Sequence, residues 1–512
     1  MPLTNAPMAP ARLLRSVRRH AASRRIAATL LAGCGLGAGM AEESFIVGPR
    51  ALGMAGAQTA SVKDVQAQYY NPAAFGFFDL DESGDAEAAA IDNNELGKQI
   101  FGLGYDFTVG GRVTGAFANS AKQAYNLAQN GNLGGLASAG VTSQADATTL
   151  INFSNALGNL ATPGQGAEVD VNGGVGMRIG HFGIGARIFS QVGARVSYVD
   201  TVNLGLGGGQ TLNQSMNSIA PAGNDNQTLL FSPAQVAQLE SGPNALSAAS
   251  VQKLDFLARQ AGIPSSQAQQ LANVLSGVGS GGTISQNATA ASIYGFAAAE
   301  IPITYGFEID DHVSLGVTGK LIVGRVYGTQ ALVLQDSASD ALKALKANYT
   351  QTINVGIDAG IMGRTTWVNA GLVARDINSP SFKGGTFQGV AYPDYKLSPA
   401  VTAGVALIPY PTLTIEGDLD LTKNKTILDG YDTQNLSLGI EYNMFYALAL
   451  RAGIYHNLAE SDIGNIVTAG LGINLYVIRL DLAGAMSLHK TTIDGKSYPS
   501  EARASLQLSA DF

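Results

Sequence analysis

Residues 501–512 alternate between polar and apolar side chains without a break, and this alternation constrains the fold more than any other feature of the chain. Every odd position carries a polar or charged residue and every even position an apolar one, up to the aromatic Phe512. A period of two places successive side chains on opposite faces of a β-strand. One face of this strand is therefore expected to meet an apolar environment and the other a polar one.

A terminal strand that ends on an aromatic residue resembles the C-terminal assembly signal of bacterial outer-membrane β-barrels. This resemblance implies that Phe512 is the assembly signal, and that the lipid bilayer and the outer-membrane assembly machinery are partners of the chain. Residues 501–512 alone leave open an alternative, which is an edge strand of a soluble β-sandwich.

The first 41 residues have the composition of a signal peptide. Six arginines precede an apolar run over residues 26–40, and no acidic residue occurs before Glu42. Small residues occupy the two positions that a signal peptidase reads before a cut after Ala41. Residues 31–34 read Leu-Ala-Gly-Cys, which would suit a lipobox with a lipid on Cys34 instead. We favour the cut after Ala41, and the export signal together with the strand pattern predicts a location in the bacterial outer membrane.

Composition argues against several classes of function. Without the first 41 residues, 25 basic residues face 39 acidic ones and form no basic cluster, which argues against nucleic-acid binding. The single cysteine and the five scattered histidines offer no compact set of metal ligands. No nucleophile or dinucleotide motif is complete. We therefore expect no cofactor, no metal ion and no enzymatic activity.

Short segments of alternating polarity recur along the chain, and they predict an all-β transmembrane barrel. No stretch after the signal peptide reaches the roughly 18 consecutive apolar residues of a membrane helix. A closed barrel is the other structure that satisfies all backbone groups in lipid. Short and long connections alternate, as they do in outer-membrane barrels. We predict fourteen antiparallel strands, at 98–108, 167–181, 183–199, 293–308, 312–328, 350–362, 366–375, 396–408, 412–423, 434–443, 446–457, 464–474, 477–489 and 501–512.

Two connections are far longer than ordinary loops, and we predict that both carry helices on the outer side of the barrel. Residues 112–165 and 206–290 are rich in Ala, Gln, Asn and Ser. Partly disordered surface loops are the alternative. The predicted helices span residues 114–128, 145–159, 232–240, 247–261 and 265–276.

Residues 42–97 are predicted to form a plug inside the barrel that residues 98–512 build. A barrel of fourteen strands is otherwise wide enough to hold water, and a short, half-apolar segment before the first strand would fill it. Ser61-Val62-Lys63-Asp64 is similar to a helix-capping sequence. The helix that follows would end before Pro72, because the residue before a proline is forced out of the α region.

Two motifs at the start of this plug resemble a known superfamily. Residues 48–57 (Gly-Pro-Arg-Ala-Leu-Gly-Met-Ala-Gly-Ala) and 69–73 (Tyr-Tyr-Asn-Pro-Ala) are similar to the N-terminal signature of the FadL/PorV-like outer-membrane barrels. Within these, the chain most resembles the conjugal-transfer TraF-type outer-membrane family, over residues 45–110 and 350–512. The resemblance implies a hatch or gate at Asn71, Pro72 and Ala73. The two helical insertions match nothing in the lipid transporters of the superfamily.

Charged residues on the lumen face of the predicted strands form a further candidate site. The interpretation that we favour is an interior network of balanced charge that holds the plug, since an unpaired charge inside would be costly. The alternative is a polar path or a plug latch. The predicted network consists of Arg178, Glu416, Asp418, Arg451, Arg479 and Asp481.

Two functions follow from these patterns. The first is a plugged outer-membrane channel for hydrophobic small molecules, or a conjugation-associated membrane component. The alternative is a structural docking protein for a secretion or transfer apparatus, with transfer-apparatus proteins as partners and no transport activity. Apolar pockets in the lumen with a lateral opening would favour the channel. A tightly filled lumen with projecting helical loops would favour the docking protein.

Overall fold

Fourteen antiparallel strands close into one barrel, in which the last strand pairs with the first from Gly102↔Asp511 to Arg112↔Glu501. The structure is a computed structural model that describes residues 41–78, 101–129, 133, 136, 139–204, 209–220, 227–242, 244–280, 282, 286–445, 447–475, 477–493 and 496–511. The strands are β1 (Phe101–Val113), β2 (Ala167–Ile179), β3 (Phe182–Tyr198), β4 (Ala290–Asp310), β5 (Val313–Leu332), β6 (Tyr349–Arg364), β7 (Val368–Arg375), β8 (Ala400–Tyr410), β9 (Leu413–Asp420), β10 (Asn435–Met444), β11 (Leu448–Asn457), β12 (Asn465–Leu475), β13 (Ile478–Ser487) and β14 (Glu501–Asp511).

The predicted fold is confirmed, and each predicted strand corresponds to one strand of the barrel. The boundaries differ by a few residues, and β4 and β5 are the longest strands, with 21 and 20 residues. The connections at one end are short, such as residues 180–181 and 311–312, and those at the other end are long. We call these the short-turn end and the long-loop end. The predicted signal peptide, its alternative lipid site at Cys34 and the predicted assembly signal Phe512 lie outside the described residues.

The barrel is apolar on its outer face and polar on its inner face. Along β1, Tyr105 and Phe107 are exposed to the outside, whereas Asp106 and Thr108 are buried inside. This arrangement reverses that of a water-soluble protein and is the one that lipid around the barrel requires. Within the described part of the chain, no helix has both the length and the hydropathy that crossing a bilayer would demand.

Residues 43–78, which we call the lumen segment, run through the inside of the barrel. At the long-loop end, Ala41–Glu42 pairs in parallel with Asn424–Lys425, and the segment then descends towards the short-turn end. It contains α1 (Pro49–Gly53), α2 (Ala67–Tyr70) and a 3-10 helix (Pro72–Phe77).

The predicted helix ends before Pro72, as expected, but it does not start near Ser61. The helix α2 begins only at Ala67, because Asp64 accepts a hydrogen bond from the backbone N–H of Gln66 in a local turn. Pro72 starts a 3-10 helix instead of only ending α2, since proline suits the first helical position. Asn71 caps this 3-10 helix by accepting a hydrogen bond from the Ala73 N–H at 3.1 Å.

The two long insertions, residues 114–166 and 199–289, fold together into one helical unit at the long-loop end, which we call the cap. Their helices share a single hydrophobic core that includes Leu150, Phe153, Leu254 and Leu271. The helices on the long-loop side are α3 (Phe117–Gln129), α4 (Gln144–Leu160), α5 (Leu212–Ser218), α6 (Pro233–Leu239), α7 (Ala248–Gln260), α8 (Ala268–Leu275) and α9 (Ala338–Ala347). All five predicted helices exist. Helices α5 and α9 were not predicted, and α9 lies in the connection between β5 and β6.

One buried carboxylate organises the cap and allows a test of its folding. Asp255 accepts hydrogen bonds from the N–H groups of residues 229–231 and pairs with Arg259 at 2.7 Å. Asp255→Ala would leave these donors unpaired, at a cost of about 3 kcal/mol. We expect amide hydrogen exchange of residues 227–231 to accelerate by roughly 100-fold. Glu240→Ala, at an exposed position of the same cap, is the control. Equal exchange in the two variants would contradict the role of Asp255.

Candidate functional site

The inner face of β9 binds the backbone of the lumen segment through two carboxylates. Asp418 accepts hydrogen bonds from the N–H groups of Gln58 at 2.9 Å and Thr59 at 3.0 Å. Glu416 accepts one from the Ala60 N–H at 2.6 Å and another from the Ser61 hydroxyl. Three successive backbone N–H groups are thus held by one strand. These hydrogen bonds anchor the middle of the lumen segment to the wall.

An arginine of the lumen segment enters a buried ion-pair cluster on the neighbouring strands. Arg50 pairs with Glu441 at 3.1 Å, and Arg451 pairs with the same carboxylate at 2.6 Å. Arg451 also pairs with Asp481 at 2.7 Å. Asp481 in turn pairs with Arg479 at 2.9 Å. Arg50 donates to the Ser61 hydroxyl at 3.0 Å, so the cluster is continuous with the carboxylates of β9.

This network brings together five of the six residues that were predicted for it: Glu416, Asp418, Arg451, Arg479 and Asp481. The sixth, Arg178, lies elsewhere, with its guanidinium 4.2 Å from the centre of the Phe78 ring. Arg50 was not predicted, although it is a basic residue in an otherwise apolar ten-residue stretch. The charges balance once Arg50, Lys63 and Glu441 are included, because four cations then face four carboxylates. Removing one partner of such a buried pair costs on the order of 3–5 kcal/mol.

Asn71, Pro72 and Ala73, which were predicted as a hatch or gate, contact the wall formed by β5 and β6. The Asn71 side-chain amide donates to the carbonyls of Thr59 at 3.0 Å and Ile361 at 3.2 Å. The Ala73 carbonyl accepts a hydrogen bond from the Ser314 hydroxyl at 2.7 Å. Asn71 therefore ties two parts of the lumen segment to each other and to the wall.

Glycines of the inner wall allow the lumen segment to approach this closely. A Cβ atom at Gly316 would lie closer than 3 Å to the backbone of Pro72, and one at Gly306 would meet the backbone of Gly76. The same holds for Gly360 beside the side chain of Asn71 and for Gly371 beside the Thr59 carbonyl. These four glycines lie on four adjacent strands, β4 to β7. Backbone therefore packs on backbone here, and no side chain fits between them.

Cavities surround the start of the lumen segment at the long-loop end. Three of them, with empty volumes of ≈ 500, ≈ 490 and ≈ 370 Å³ including their open mouths, are all lined by Ser44. The first is lined by four aromatic rings, two cations and three carboxylates, namely Phe45, Tyr69, Phe189, Phe296, Arg375, Lys320, Glu43, Glu300 and Asp376. Its lining is thus aromatic with charged edges. Within the described ranges, no group of three or more His, Cys, Asp or Glu residues is placed to hold a metal ion.

An apolar outer face, a closed sheet and a polar lumen that its own N-terminal segment occupies define a transmembrane β-barrel protein. The profile of the family described as "F plasmid transfer operon, TraF, protein" matches residues 68–420, more than half of the chain. The chain belongs to this family, which confirms the TraF-type resemblance of the sequence. No curated protein matches the chain.

Several solved structures are similar at low identity. A Pseudomonas aeruginosa FadL homologue is 12% identical, covers 92% of this chain and 99% of its own, and gives a TM-score of 0.43. The P. putida toluene transporter TodX is 11% identical over 92% and 99% of the two chains, with a TM-score of 0.42. The Ralstonia pickettii toluene transporter TbuX is 12% identical over 91% and 98%, with a TM-score of 0.41.

The glycine contacts make a testable prediction about the lumen segment. Gly316→Ala would overpack the contact with Pro72 at a cost of about 1–3 kcal/mol and push the 3-10 helix off the wall. We expect amide hydrogen exchange of residues 73–78 to accelerate roughly tenfold in the folded barrel in detergent. Gly319→Ala is the matched control on the same strand, since a Cβ there meets nothing within 4 Å. Equal exchange in the two variants would show that the glycine contact does not hold the segment.

Proposed function

We propose that this protein is a plugged channel of the bacterial outer membrane, which takes up small amphiphilic molecules with an apolar body and an anionic end. The observation that carries the proposal is the first cavity, where four aromatic rings lie beside the cations Arg375 and Lys320. Apolar walls with a few well-placed polar groups are typical of small-molecule sites. The lumen segment acts as the plug in this proposal.

Arg375 has the chemistry to receive the anionic end of such a molecule. Its guanidinium donates to the Ser44 hydroxyl at 2.6 Å and lies 5.0 Å from the centre of the Tyr69 ring. Both contacts are neutral, and so is its third partner, the Thr402 hydroxyl at 3.3 Å. Arg375 therefore forms no ion pair with the described residues, although Glu43, Glu300 and Asp376 line the same cavity. Lys320, in contrast, already pairs with Asp358 at 3.0 Å and with Asp376 at 2.7 Å. Arg375 is therefore the residue that we assign to the solute.

Passage through the lumen requires part of the lumen segment to move, because the segment fills the barrel below the cavities. Residues 58–61 and Arg50 are held by buried charges. The stretch from Ser44 to Ile46 lies among the three cavities instead. We infer that this stretch moves first and that the charged anchor stays in place.

The proposal includes an orientation in the envelope. The first 41 residues direct export, and the short-turn end with both ends of the barrel sequence faces the periplasm, as is usual for such barrels. The long-loop end, with the cap and the cavities, then faces outwards. Solutes would meet the cavities before they meet the anchored part of the plug.

Uptake of a naphthalene sulfonate into proteoliposomes tests this function. The sulfonate is permanently charged, so it crosses lipid slowly and its entry reports the protein. We expect vesicles with the barrel to accumulate it several-fold faster than empty vesicles, and Arg375→Gln to remove most of this gain. Arg325→Gln is the control, because Arg325 lies on the outer face of β5 and donates to Gln351. Uptake equal to that of empty vesicles would overturn the channel.

A second candidate function is a docking component of a DNA-transfer apparatus, and one observation favours it. Two separate insertions build one cap with its own hydrophobic core, which is more structure than a channel mouth needs. Replacing residues 117–160 and 212–275 by short Gly-Ser linkers tests this function in cells that carry a transfer system. A docking protein predicts that DNA transfer is lost, whatever the effect on solute uptake. Unchanged transfer would remove this candidate.

A further inference from the structure

The connection between β9 and β10, residues 421–434, crosses the mouth of the barrel. The two strands that it joins are neighbours, yet five strands separate them from β2 and β3 along either direction of the closed sheet. Ile427 nevertheless contacts the position of Gly193 on β3, and Leu428 contacts Gly166 just before β2. We call residues 421–434 the strap. Its tip rests on the wall that faces its base.

Glycines form the seat of the strap on the far wall. A Cβ at Gly430 would lie 2.6 Å from the backbone nitrogen of Gly164, and one at Gly193 would lie 2.8 Å from Ile427 Cγ2. Gly430 and Gly164 also have φ angles of 88° and 80°, which favour glycine. The Gly164 N–H donates to the Asp429 carbonyl at 3.0 Å. The sequence of both partners is thus adapted to this close contact.

The strap is stiff within itself, and apolar packing holds its tip. Its two arms pair at Asn424↔Thr433 and Lys425↔Asp432, so it moves as one hairpin. At the tip, Ile427 and Leu428 are buried in an apolar cluster with residues of the wall. The ion pair between Asp429 and Arg195 adds little, since the Asp429 side chain is 80% exposed. A rigid hairpin that is seated by packing stays closed until the packing of its seat changes.

The strap lines one of the three cavities of the lumen. Tyr431 and Thr433 of the strap line one cavity together with Glu43 and Ser44 of the lumen segment. The Glu43 N–H also donates to the Lys425 carbonyl at 2.8 Å. The strap therefore lies over the stretch that we expect to move first when a solute enters.

The cap reaches the strap through the residues that follow α4. A Cβ at Gly430 would lie 2.9 Å from Pro163 Cβ, and Pro163 and Gly164 follow the last turn of α4. Helix α4 packs against α3, α7 and α8, so it is the central helix of the cap. A displacement of α4 is transmitted directly to the seat of the strap.

We propose that the strap is the outer gate of the lumen and that the cap controls it through α4. The proposal rests on the proposed channel for its physiological meaning. A macromolecule that binds the cap and shifts α4 would release the strap tip from Gly164 and Gly193. The gate then opens only where such a partner is engaged, which couples solute entry to docking.

A reversible disulfide tests the position and the role of the strap. In a disulfide, the Cβ of one cysteine lies about 3 Å from the sulfur of the other, and this matches the Cβ position of Gly193 and the Cγ2 of Ile427. The variant Gly193→Cys/Ile427→Cys carries Cys34→Ser, so that these are its only two thiols. We expect the disulfide to form in the folded barrel and to be reversed by a reductant. Failure to form would show that the strap does not rest on the far wall.

Access to the lumen is read from a tryptophan placed in the cavity that the strap lines. Ile46→Trp in a Trp367→Phe background gives one reporter there, and acrylamide is the quencher. We expect the quenching constant to be at least threefold lower with the disulfide closed than after reduction. The variant with Ile427→Cys alone should not respond to the reductant. Equal quenching in the closed and reduced states would overturn the gate.

A second variant opens the gate without a disulfide. Gly430→Ala would strain the backbone at a φ of 88° and collide with Gly164. We expect it to raise the quenching constant by about threefold, whereas Gly417→Ala, whose Cβ meets nothing closer than 3.7 Å, should leave it unchanged. Unchanged quenching in Gly430→Ala would contradict a gate that is held at this seat.

Substitutions at two buried leucines of the cap test whether the cap controls the gate. Leu157→Ala loosens α4 beside the strap seat, and we expect it to raise the quenching constant. Leu239→Ala loosens α6, which packs on α8, and we expect it to leave the quenching constant unchanged. The same result for both variants would remove the control by the cap. Naphthalene sulfonate uptake in the same vesicles keeps the two proposals apart, because gated quenching without uptake would retain the gate and reject the channel.

Discussion

The buried carboxylates of the inner wall and the groups of the lumen segment that bind them are the interaction on which the rest of the structure depends. A barrel in lipid has its apolar side chains outside, so its polar ones face a narrow interior. Buried charges in such an interior must be paired and hydrogen-bonded. Asp418, Glu416 and Glu441 meet this requirement with backbone N–H groups and with Arg50. Wall and lumen segment are therefore parts of one folded unit.

This dependence divides the molecule into a fixed part and an adjustable part. The charged anchor and the row of wall glycines hold residues 47–78 by many buried contacts. At the long-loop end, the buried ion pair between Glu43 and Arg112 holds the start of the lumen segment, and Leu428 of the strap is buried in an apolar cluster. Between these contacts, the stretch from Ser44 to Ile46 lies among the cavities. Local stability differs across a fold, and functional segments come from its weaker regions. We therefore expect the stretch among the cavities to be the adjustable part.

Much of the fold could be predicted from the sequence because a strand in a barrel repeats one simple rule. Alternation along residues 435–444 or 501–511 reports two environments, and this signal does not depend on which strand is the neighbour. The helices of the cap were predictable for a similar reason, since Ser232 with Pro233 gives a local N-cap. The lumen-facing charges also followed from alternation, and five of them meet in one network.

Contacts between distant parts of the chain could not be predicted in this way. Arg50 finds Glu441 nearly four hundred residues away, and nothing in its local sequence names that partner. The strap looked like an ordinary loop, because only the closed sheet places Gly193 and Gly166 opposite its base. A helix ends before Pro72, as expected, but the 3-10 helix that begins there was not predicted, and the close approach to the wall glycine Gly316 helps to explain it. In each case the local structure depends on a partner surface that comes from a distant part of the chain, and the local sequence does not identify that surface.

Amide hydrogen exchange at Gln58, Thr59 and Ala60 in the intact barrel tests the central claim most directly. These N–H groups lie in no helix or strand, and their hydrogen-bond acceptors are the carboxylates Asp418 and Glu416. The account predicts exchange as slow as that of the barrel strands. Exchange within about tenfold of the rate of an unstructured peptide would show that the wall does not hold the lumen segment, and it would contradict the account.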